Sequence, residues 1–247
     1  MENLQQKLAL LADAAEEHID WPVCWPSAKR SRPPCRCSRR RLRPASVSPW
    51  RRDEAFCFTY AETLEAFRDA GAEVVFFSPL RDTALPENIG GLYLPGGYPE
   101  LHARELSENT SLLREIKRKI ESGLPTAAEC GGFLYLGQSL TDAEGQSWPM
   151  AGVLPGEAKD AGRLVRFGYA ALSAESDSML FRAGESFPIH EFHHWDSTAN
   201  GTALAAKKPV GGAAWRCGFI DEHFYAASRI CTGRVRPCRG GKALRQG

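Results

Sequence analysis

The sequence lacks the long apolar segments with which a protein enters a membrane. No apolar run approaches the roughly 20 residues that a membrane-spanning helix requires. The N-terminus, Met1–Gln5, has neither the basic start nor the apolar middle of a secretory signal. Hydrophobic residues make up 43% and charged residues 25% of the 247, which excludes a wholly disordered chain and a fibrous repeat. We therefore expect a cytoplasmic protein with no membrane partner, long enough to bury a core.

Acidic residues are missing from two segments, although the whole chain has a net charge of only +1. Residues 22–52 contain ten Lys or Arg and no Asp or Glu, and residues 229–247 contain six and again no acid. Without these two segments, 15 basic residues face 30 acidic ones, and five of the eight cysteines are gone. This division predicts an acidic globular domain over 53–228, an aberrant, disordered basic segment over 22–52 and an aberrant basic tail over 229–247.

Apolar periodicity after Asp53 predicts an α/β fold with a mostly parallel sheet flanked by helices. The predicted helices span 60–70, 107–122 and 133–140, after a short amphipathic helix over 3–19. The predicted strands span 74–77, 91–94 and 125–129, followed by 164–172, 187–192 and 213–219. The second half is therefore expected to be mostly strand.

A cysteine followed by two glycines, Cys130-Gly131-Gly132, stands where a predicted strand meets a predicted helix. This order is typical of a nucleophile elbow, in which the side chain projects from a sharp turn and the next backbone N–H faces a developing oxyanion. A helix N-terminus also favours the thiolate, the reactive form of cysteine. The alternative is a buried structural cysteine before a glycine-rich turn, and the local pattern does not choose between the two.

Two further glycines, Gly96 and Gly97, follow the strand predicted over 91–94. Glycines at the carboxyl end of a strand let the backbone approach a ligand closely, at the edge where α/β sheets bind substrates. Taken alone, this stretch is more simply a tight turn. Paired with Cys130, Gly97 becomes a candidate second donor to an oxyanion.

The segment His190–Trp195 is rich in histidine. On a strand, His190 and His194 share one face and could meet one metal ion, whereas Glu191 and His193 lie on the other. The segment lacks the helical spacing of the His-Glu-x-x-His zinc motif. We favour a polar wall of a substrate site here and assign no metal.

The basic run Arg39–Arg43 is of the kind found in nucleic-acid-binding patches. No aromatic platform accompanies it, so we expect no nucleic-acid partner. The glycine-lysine pattern of an ATP phosphate loop does not occur in the sequence. We therefore expect this chain to bind no cofactor.

Taken together, these motifs resemble the glutamine amidotransferase domain of cobyrinic acid a,c-diamide synthases, called hydrogenobyrinic acid a,c-diamide synthases in the aerobic route. The matching stretches follow the order of the family: Asp53–Phe58, Phe77–Leu80, Gly91–Glu100, Ala128–Gly132, Met150–Pro155 and His190–His193. The His-Glu-Phe-His stretch resembles these enzymes more than the cobyric acid synthases, which share the elbow and remain an alternative.

The resemblance implies a flavodoxin-like class I glutamine amidotransferase fold. It implies that Cys130 attacks the side-chain amide of glutamine and that Gly97 and Gly131 hold the oxyanion. The residues that it implies in substrate binding are Tyr98, Glu100, His190, Glu191 and His193. In the family, ammonia passes to an N-terminal domain that uses ATP and Mg²⁺ to activate the a and c carboxylates of a corrinoid acid. We expect that domain to be missing here, with 1–21 as the end of its linker, and a homodimer is a possible assembly.

Two departures from the family concern activity. Family members have a strand just before the position of Asp53, and they end in Ala-Ser-Tyr-x-His-x-His, whose histidine activates the cysteine. Here Ser228 is followed by Arg-Ile-Cys-Thr-Gly, and no histidine follows His223. Codons read one base out of frame can encode His-Leu-His-Arg at 230–233 and a hydrophobic strand near Val47. We interpret both basic segments as frameshifted translation and expect little or no glutaminase activity. A non-catalytic corrinoid-binding module is the alternative.

Overall fold

The computed structural model describes residues 53–228 without a break, together with 9–10, 13–14, 17, 45–47 and 230–231. The chain divides after Ser38 into two compact units. In the first unit, the described residues 9–10, 13–14 and 17 are helical and lie within the helix predicted over 3–19. Most of the predicted basic segment 22–52, and the tail beyond residue 231, lie outside the described residues. Among the described residues, no helix has the length and apolarity needed to cross a membrane.

The first sheet of the second unit is parallel at every pairing except one at its edge. Its strands are β1 (Ala45–Val47), β2 (Val74–Phe76), β3 (Gly91–Leu94), β4 (Thr126–Glu129), β11 (Phe219–Ile220) and β12 (Phe224–Ala227). Their order is β11-β12-β4-β3-β1-β2, and only β11 and β12 pair antiparallel. The predicted α/β fold with a mostly parallel sheet is confirmed, and the strand predicted over 91–94 has the predicted bounds.

The strand β1 corrects the expectation that 22–52 is disordered throughout and that no strand precedes Asp53. Residues 45–47 lie between β2 and β3, with Ser46 in register with Val75 on one side and Leu92 on the other. Three residues of the basic segment thus complete the middle of the sheet. The sequence did not indicate this strand because three residues are too few for an apolar run or a periodic pattern to be recognised.

The helices that connect these strands are shorter than predicted. They are α1 (Ala61–Asp69), α2 (Ala103–Glu108), α3 (Thr110–Glu121) and α4 (Gly131–Tyr135), with a 3-10 turn over Pro99–His102. The single helix predicted over 107–122 is wrong, because the backbone leaves helical geometry at Asn109. The Asn109 amide donates to the carbonyls of Pro79 and Asp82 at 2.8 and 2.7 Å, which stabilises the break. The helix predicted over 133–140 is also wrong beyond Tyr135, because residues 139–141 join the second sheet.

The second sheet is mostly antiparallel and was predicted only as a strand-rich half. It contains β5 (Ser139–Thr141), β6 (Ser147–Pro149), β7 (Glu157–Ala174), β8 (Ser186–Ser197), β9 (Leu204–Lys207), β10 (Ala214–Cys217) and β13 (Ile230–Cys231). The long strands β7 and β8 pair with two register shifts between Asp160 and Gly168. At this irregularity Arg166 has φ +49°, which is uncommon for a residue with a side chain.

Two apolar clusters hold the unit together. The first lies between the parallel sheet and its helices and contains Phe56, Leu94, Leu112, Ile116, Phe133 and Leu136, all fully buried or nearly so. The second lies where β12 meets the antiparallel sheet and contains Leu172, Ile189, Leu204 and Tyr225. Because β12 contributes to both clusters through alternate residues, the position of its carboxyl end is set by both sheets.

Asp53 begins the continuous part of the structure and organises the loops at the carboxyl edge of the parallel sheet. Its buried carboxylate accepts hydrogen bonds from the Ala55 N–H, the Ser78 hydroxyl and the Leu80 N–H at 3.0, 2.7 and 3.2 Å. A buried carboxylate with this many donors is well satisfied. Asp53 thus holds the loop that follows β1 against Ser78 and Leu80 in the loop that follows β2. Ala55 and Phe56, in the loop after β1, pack against Gly97.

Candidate active site

Cys130 lies at the sharp turn between β4 and α4, with φ +51° and ψ −110°. A residue with a side chain is strained in this conformation and persists there only when its surroundings fix it. Here the Cys130 N–H donates to the Ala227 carbonyl at 2.9 Å, and the Gly132 N–H donates to the Pro95 carbonyl at 3.0 Å. The turn is thus fixed by the ends of both neighbouring strands, and this geometry is the one expected of a nucleophile elbow.

The backbone N–H groups of Gly97 and Gly131 both face the Cys130 thiol closely enough to lower its pKa. The two loops are in contact, because a Cβ added to Gly131 would lie 3.0 Å from the Gly97 nitrogen and 2.9 Å from the Pro99 ring. Two amides that converge beside a nucleophile are the usual construction of an oxyanion hole. The structure therefore brings together Cys130, Gly97 and Gly131, the three residues that the sequence proposed for the chemical step.

The electrostatic surroundings of Cys130 favour the thiol rather than the thiolate. Burial raises the pKa of Cys130 to about 12, and the carboxylates of Glu100 and Glu129 contribute in the same direction. The amides of Gly131 and Gly97 lower this pKa but do not outweigh burial. The Gly131 amide at the start of α4 favours the thiolate, as expected of a helix N-terminus, but burial and the two carboxylates outweigh it. The helix α4 is only five residues long, and two carboxylates oppose it.

Alkylation should reveal this suppressed thiolate. At pH 8 a thiol with a pKa near 12 is ionised about a thousandfold less than an ordinary thiol with a pKa near 9. Burial also raises the pKa of Cys57, but Cys57 is exposed, so Cys130 should react with iodoacetamide more slowly than Cys57. The rate at Cys130 should still rise with pH at pH 10, because that pH lies below its folded-state pKa. Peptide mapping by mass spectrometry after timed alkylation measures both rates in one sample. A Cys130 rate that levels off below pH 9 would contradict the prediction.

Tyr98 and Glu100, predicted to bind substrate, lie beside the oxyanion loop. Tyr98 is half exposed, and its ring packs edge-on against Phe58 with centroids 4.9 Å apart. Glu100 is the second residue of the 3-10 turn Pro99–His102, and burial raises the pKa of its carboxyl group. Both residues thus follow Gly97 on the same loop, and the charge of Glu100 acts on Cys130.

The three predicted residues of β8 divide between its two faces, as expected for a strand. His190 lies on the outer face, with its ring 4.8 Å from that of Tyr169. Glu191 lies on the inner face, where its buried carboxylate accepts a hydrogen bond from Arg166 Nε at 3.2 Å. His193 is also mostly buried, with Nδ1 2.6 Å from the Trp195 carbonyl oxygen. The structure places His190 where a ligand can reach it and uses Glu191 to hold Arg166.

Sequence reasoning missed the polar residues directly behind the nucleophile. Glu129 is buried, and Tyr93 on the neighbouring strand β3 donates its hydroxyl to Glu129 Oε2 at 2.9 Å. The pKa of Tyr60 is raised by burial and then by the charges of Glu129 and Cys130, so this phenol also lies close to the site. The position of Glu129 next to Cys130 was the available signal. Within the described part of the chain, no group of three His, Cys, Asp or Glu could hold a metal ion.

The carboxyl end of β12 lies next to Cys130, so a base carried by the residues that follow β12 could reach the thiol. The last residue of β12, Ala227, is in register with Glu129, and its carbonyl accepts the Cys130 N–H. The chain that follows therefore leaves the sheet beside the nucleophile. His223 lies at the opposite end, where its carbonyl accepts the N–H of Thr126, the first residue of β4. Since the sequence has no histidine after His223, the segment next to Cys130 supplies no imidazole.

A parallel α/β sheet with a cysteine elbow and two convergent amides at its carboxyl edge defines a class I glutamine amidotransferase. Two solved structures share the fold at a TM-score of 0.50. One, a glutamine amidotransferase, is 19% identical and covers 74% of this chain and 89% of its own. The other, a glutamine amidotransferase from Thermotoga maritima, is 13% identical and covers 77% and 76%. The chain belongs to the family of CobB/CobQ-like glutamine amidotransferase domains, which matches residues 50–220.

Among curated proteins, the chain is similar to cobyrinate a,c-diamide synthases. That of Caldanaerobacter subterraneus subsp. tengcongensis is 42% identical over 177 residues, which make up 71% of this chain and 39% of the relative. That of Listeria innocua is 34% identical over 235 residues, or 92% of this chain and 51% of the relative. The chain thus spans between about two fifths and half of the length of these relatives.

Proposed function

We propose that this domain hydrolyses glutamine to supply ammonia for the ATP-dependent amidation of the a and c carboxylates of cobyrinic or hydrogenobyrinic acid, in cobalamin biosynthesis. The observation that supports it is the convergence of two backbone amides on the Cys130 thiol at a strained elbow. The cobyrinate a,c-diamide synthases that the chain resembles support the corrinoid acid as the acceptor. ATP and Mg²⁺ belong to the other part of such a protein in this proposal. We also propose a cytoplasmic location and, by family resemblance, a homodimer.

The chemical step follows from the geometry of the elbow. The Cys130 sulfur attacks the side-chain carbonyl carbon of glutamine, and the N–H groups of Gly97 and Gly131 stabilise the negative oxygen of the tetrahedral intermediate. The carbon–nitrogen bond then breaks, the nitrogen gains a proton and leaves as ammonia, and a thioester remains. Water cleaves the thioester to glutamate and regenerates the thiol. Glu100, on the loop that follows Gly97, is suited to pair with the α-ammonium group of glutamine.

A glutamine-shaped alkylating agent tests this proposal. We expect 6-diazo-5-oxo-L-norleucine to label Cys130 at pH 9, and glutamine to slow the labelling while alanine does not. Cys57 is a thiol of the same chain outside the elbow, and it should react with iodoacetamide but not with the glutamine analogue. Equal labelling of Cys57 and Cys130 by the analogue would refute a glutamine site.

A non-catalytic corrinoid-binding module is the second candidate, and a specific observation favours it. Burial and two carboxylates keep Cys130 as a thiol, and the sequence offers no histidine after His223. In this alternative, the domain keeps its fold and binds a corrinoid but does not hydrolyse glutamine. Corrinoid binding with no detectable release of ammonia would favour it, and ammonia release dependent on Cys130 would exclude it.

A further inference from the structure

Ser228, which directly follows β12, lies next to Cys130 at the carboxyl edge of the parallel sheet. The Cys130 N–H donates to the Ala227 carbonyl at 2.9 Å. At the other end of the same two strands, the Thr126 N–H donates to the His223 carbonyl at 2.8 Å. The strands β12 and β4 therefore keep one register along their length, and this register brings Ser228 level with Cys130. Because paired strands lie about 4.8 Å apart, the two residues are neighbours.

The Ser228 side chain shares a face of the sheet with the elbow helix. Ala226 and Ala128 are in register with each other, and both belong to the first apolar cluster, between the parallel sheet and its helices. Phe133 of α4 belongs to the same cluster. Side chains alternate along a strand, so the residue two positions after Ala226 returns to this face. Ser228 therefore lies on the face against which α4 packs.

The Ser228 hydroxyl is buried without a hydrogen bond to the described part of the chain. Ser228 is 5% exposed, and its Oγ has no hydrogen-bond partner among the residues that the structure describes. Most buried polar groups have a partner, because burial of an unpaired hydroxyl is unfavourable. The similarly buried Ser107, for example, donates its hydroxyl to the Arg104 carbonyl at 2.7 Å. The Ser228 hydroxyl is thus available to a group that enters with the substrate.

Ser228 and the oxyanion glycine Gly97 lie on opposite sides of Cys130. The strand β4 lies between β3 and β12, and Gly97 follows β3 whereas Ser228 follows β12. In the proposed reaction, Gly97 and Gly131 hold the carbonyl oxygen of glutamine. Glu100, on the loop after β3, pairs with the α-ammonium group. Of the groups on the reacting carbon, the amide nitrogen is therefore the one left to face β12.

From these observations we propose that the Ser228 hydroxyl binds the amide nitrogen of glutamine, the atom that leaves as ammonia. The hydroxyl oxygen accepts a hydrogen bond from the NH₂ group, while the backbone amides bind the oxygen of the same carboxamide. The two polar ends of the carboxamide are thereby held on different sides of the cysteine. This inference rests on the proposed function and adds a side chain that contacts the leaving nitrogen.

A ketone that differs from glutamine only at the nitrogen tests the proposal. 5-Oxo-L-norleucine keeps the carbonyl group and has a methyl group in place of the NH₂ group. Each compound is added to the full 247-residue chain during labelling of Cys130 by 6-diazo-5-oxo-L-norleucine at pH 9. The measured quantity is the concentration that halves the labelling rate. Ser228→Ala should raise this concentration about fivefold for glutamine, as expected for the loss of one hydrogen bond, and leave it unchanged for the ketone.

Ser107→Ala is the matched control, because it removes a similarly buried hydroxyl from α2. This variant should respond to both compounds like the unchanged chain. If Ser228→Ala does not fold, Ser228→Gly removes the same hydroxyl. A purely structural role of Ser228 would change both concentrations equally. Such an equal change, or no change for either compound, overturns the proposal while the glutamine site stands. If glutamine does not protect Cys130 even in the unchanged chain, the proposed function fails and this inference fails with it.

Discussion

The chain is expected to hydrolyse glutamine at least about 100-fold more slowly than an amidotransferase whose cysteine has a histidine partner. General acid–base catalysis by a positioned side chain contributes about 10²–10⁴-fold. Here the chain beyond β12 contains no histidine, and burial, together with the nearby carboxylates, stabilises the neutral thiol. Ammonia release is measured with purified chain and compared with Cys130→Ser.

Added imidazole makes this experiment more specific. A small base that diffuses into the site should increase the rate of the unchanged chain, and it should have no effect on Cys130→Ser. Turnover at rates typical of enzymes, about 1–10³ per second, that disappeared in Cys130→Ser would contradict the prediction. In that case a group other than a histidine after β12 serves as the base.

The largest effect on stability is expected at Gly132, where Gly132→Ala should reduce the free energy of unfolding by about 3 kcal/mol. A Cβ at this position would lie 2.3 Å from the Leu94 carbonyl oxygen and 2.7 Å from its carbonyl carbon. Both atoms belong to the backbone of a buried strand, so they cannot move aside cheaply. Urea unfolding at equilibrium measures the change.

Gly145→Ala is the matched control for this substitution. A Cβ there meets no atom within 4 Å, although the residue has φ +85°. Its expected cost of about 1 kcal/mol comes from the backbone conformation alone. If Gly132→Ala destabilised the chain no more than Gly145→Ala, the close packing of α4 on β3 would be refuted.

The sequence predicted the elements whose signals are local. The strand β3 has an apolar run that ends in two glycines, and α1 ends at Gly71 in a left-handed conformation. The elbow at Cys130 was recognisable because its glycines are adjacent to the cysteine. These features depend on a few neighbouring residues, and one sequence is enough to find them.

The features that were missed depend on contacts distant in sequence. The break at Asn109 is stabilised by carbonyls about 30 residues away. The irregularity at Arg166 places a non-glycine residue at positive φ and is fixed by Glu191 and Asp196. The antiparallel sheet as a whole joins strands as far apart as β5 and β13. No local pattern encodes such pairings, and the high pKa of Cys130 likewise reflects side chains brought together by the fold.

The strand β1 shows how little a central strand of a sheet needs from its own side chains. Its three residues connect to β2 and β3 by main-chain pairing on both sides, and that pairing is available to almost any residue except proline. The place of the strand is therefore specified by its two neighbours, which present open rows of donors and acceptors, more than by its own side chains. A parallel sheet of this kind therefore accepts a wide choice of residues in its central strand, provided that the main chain there can pair on both sides.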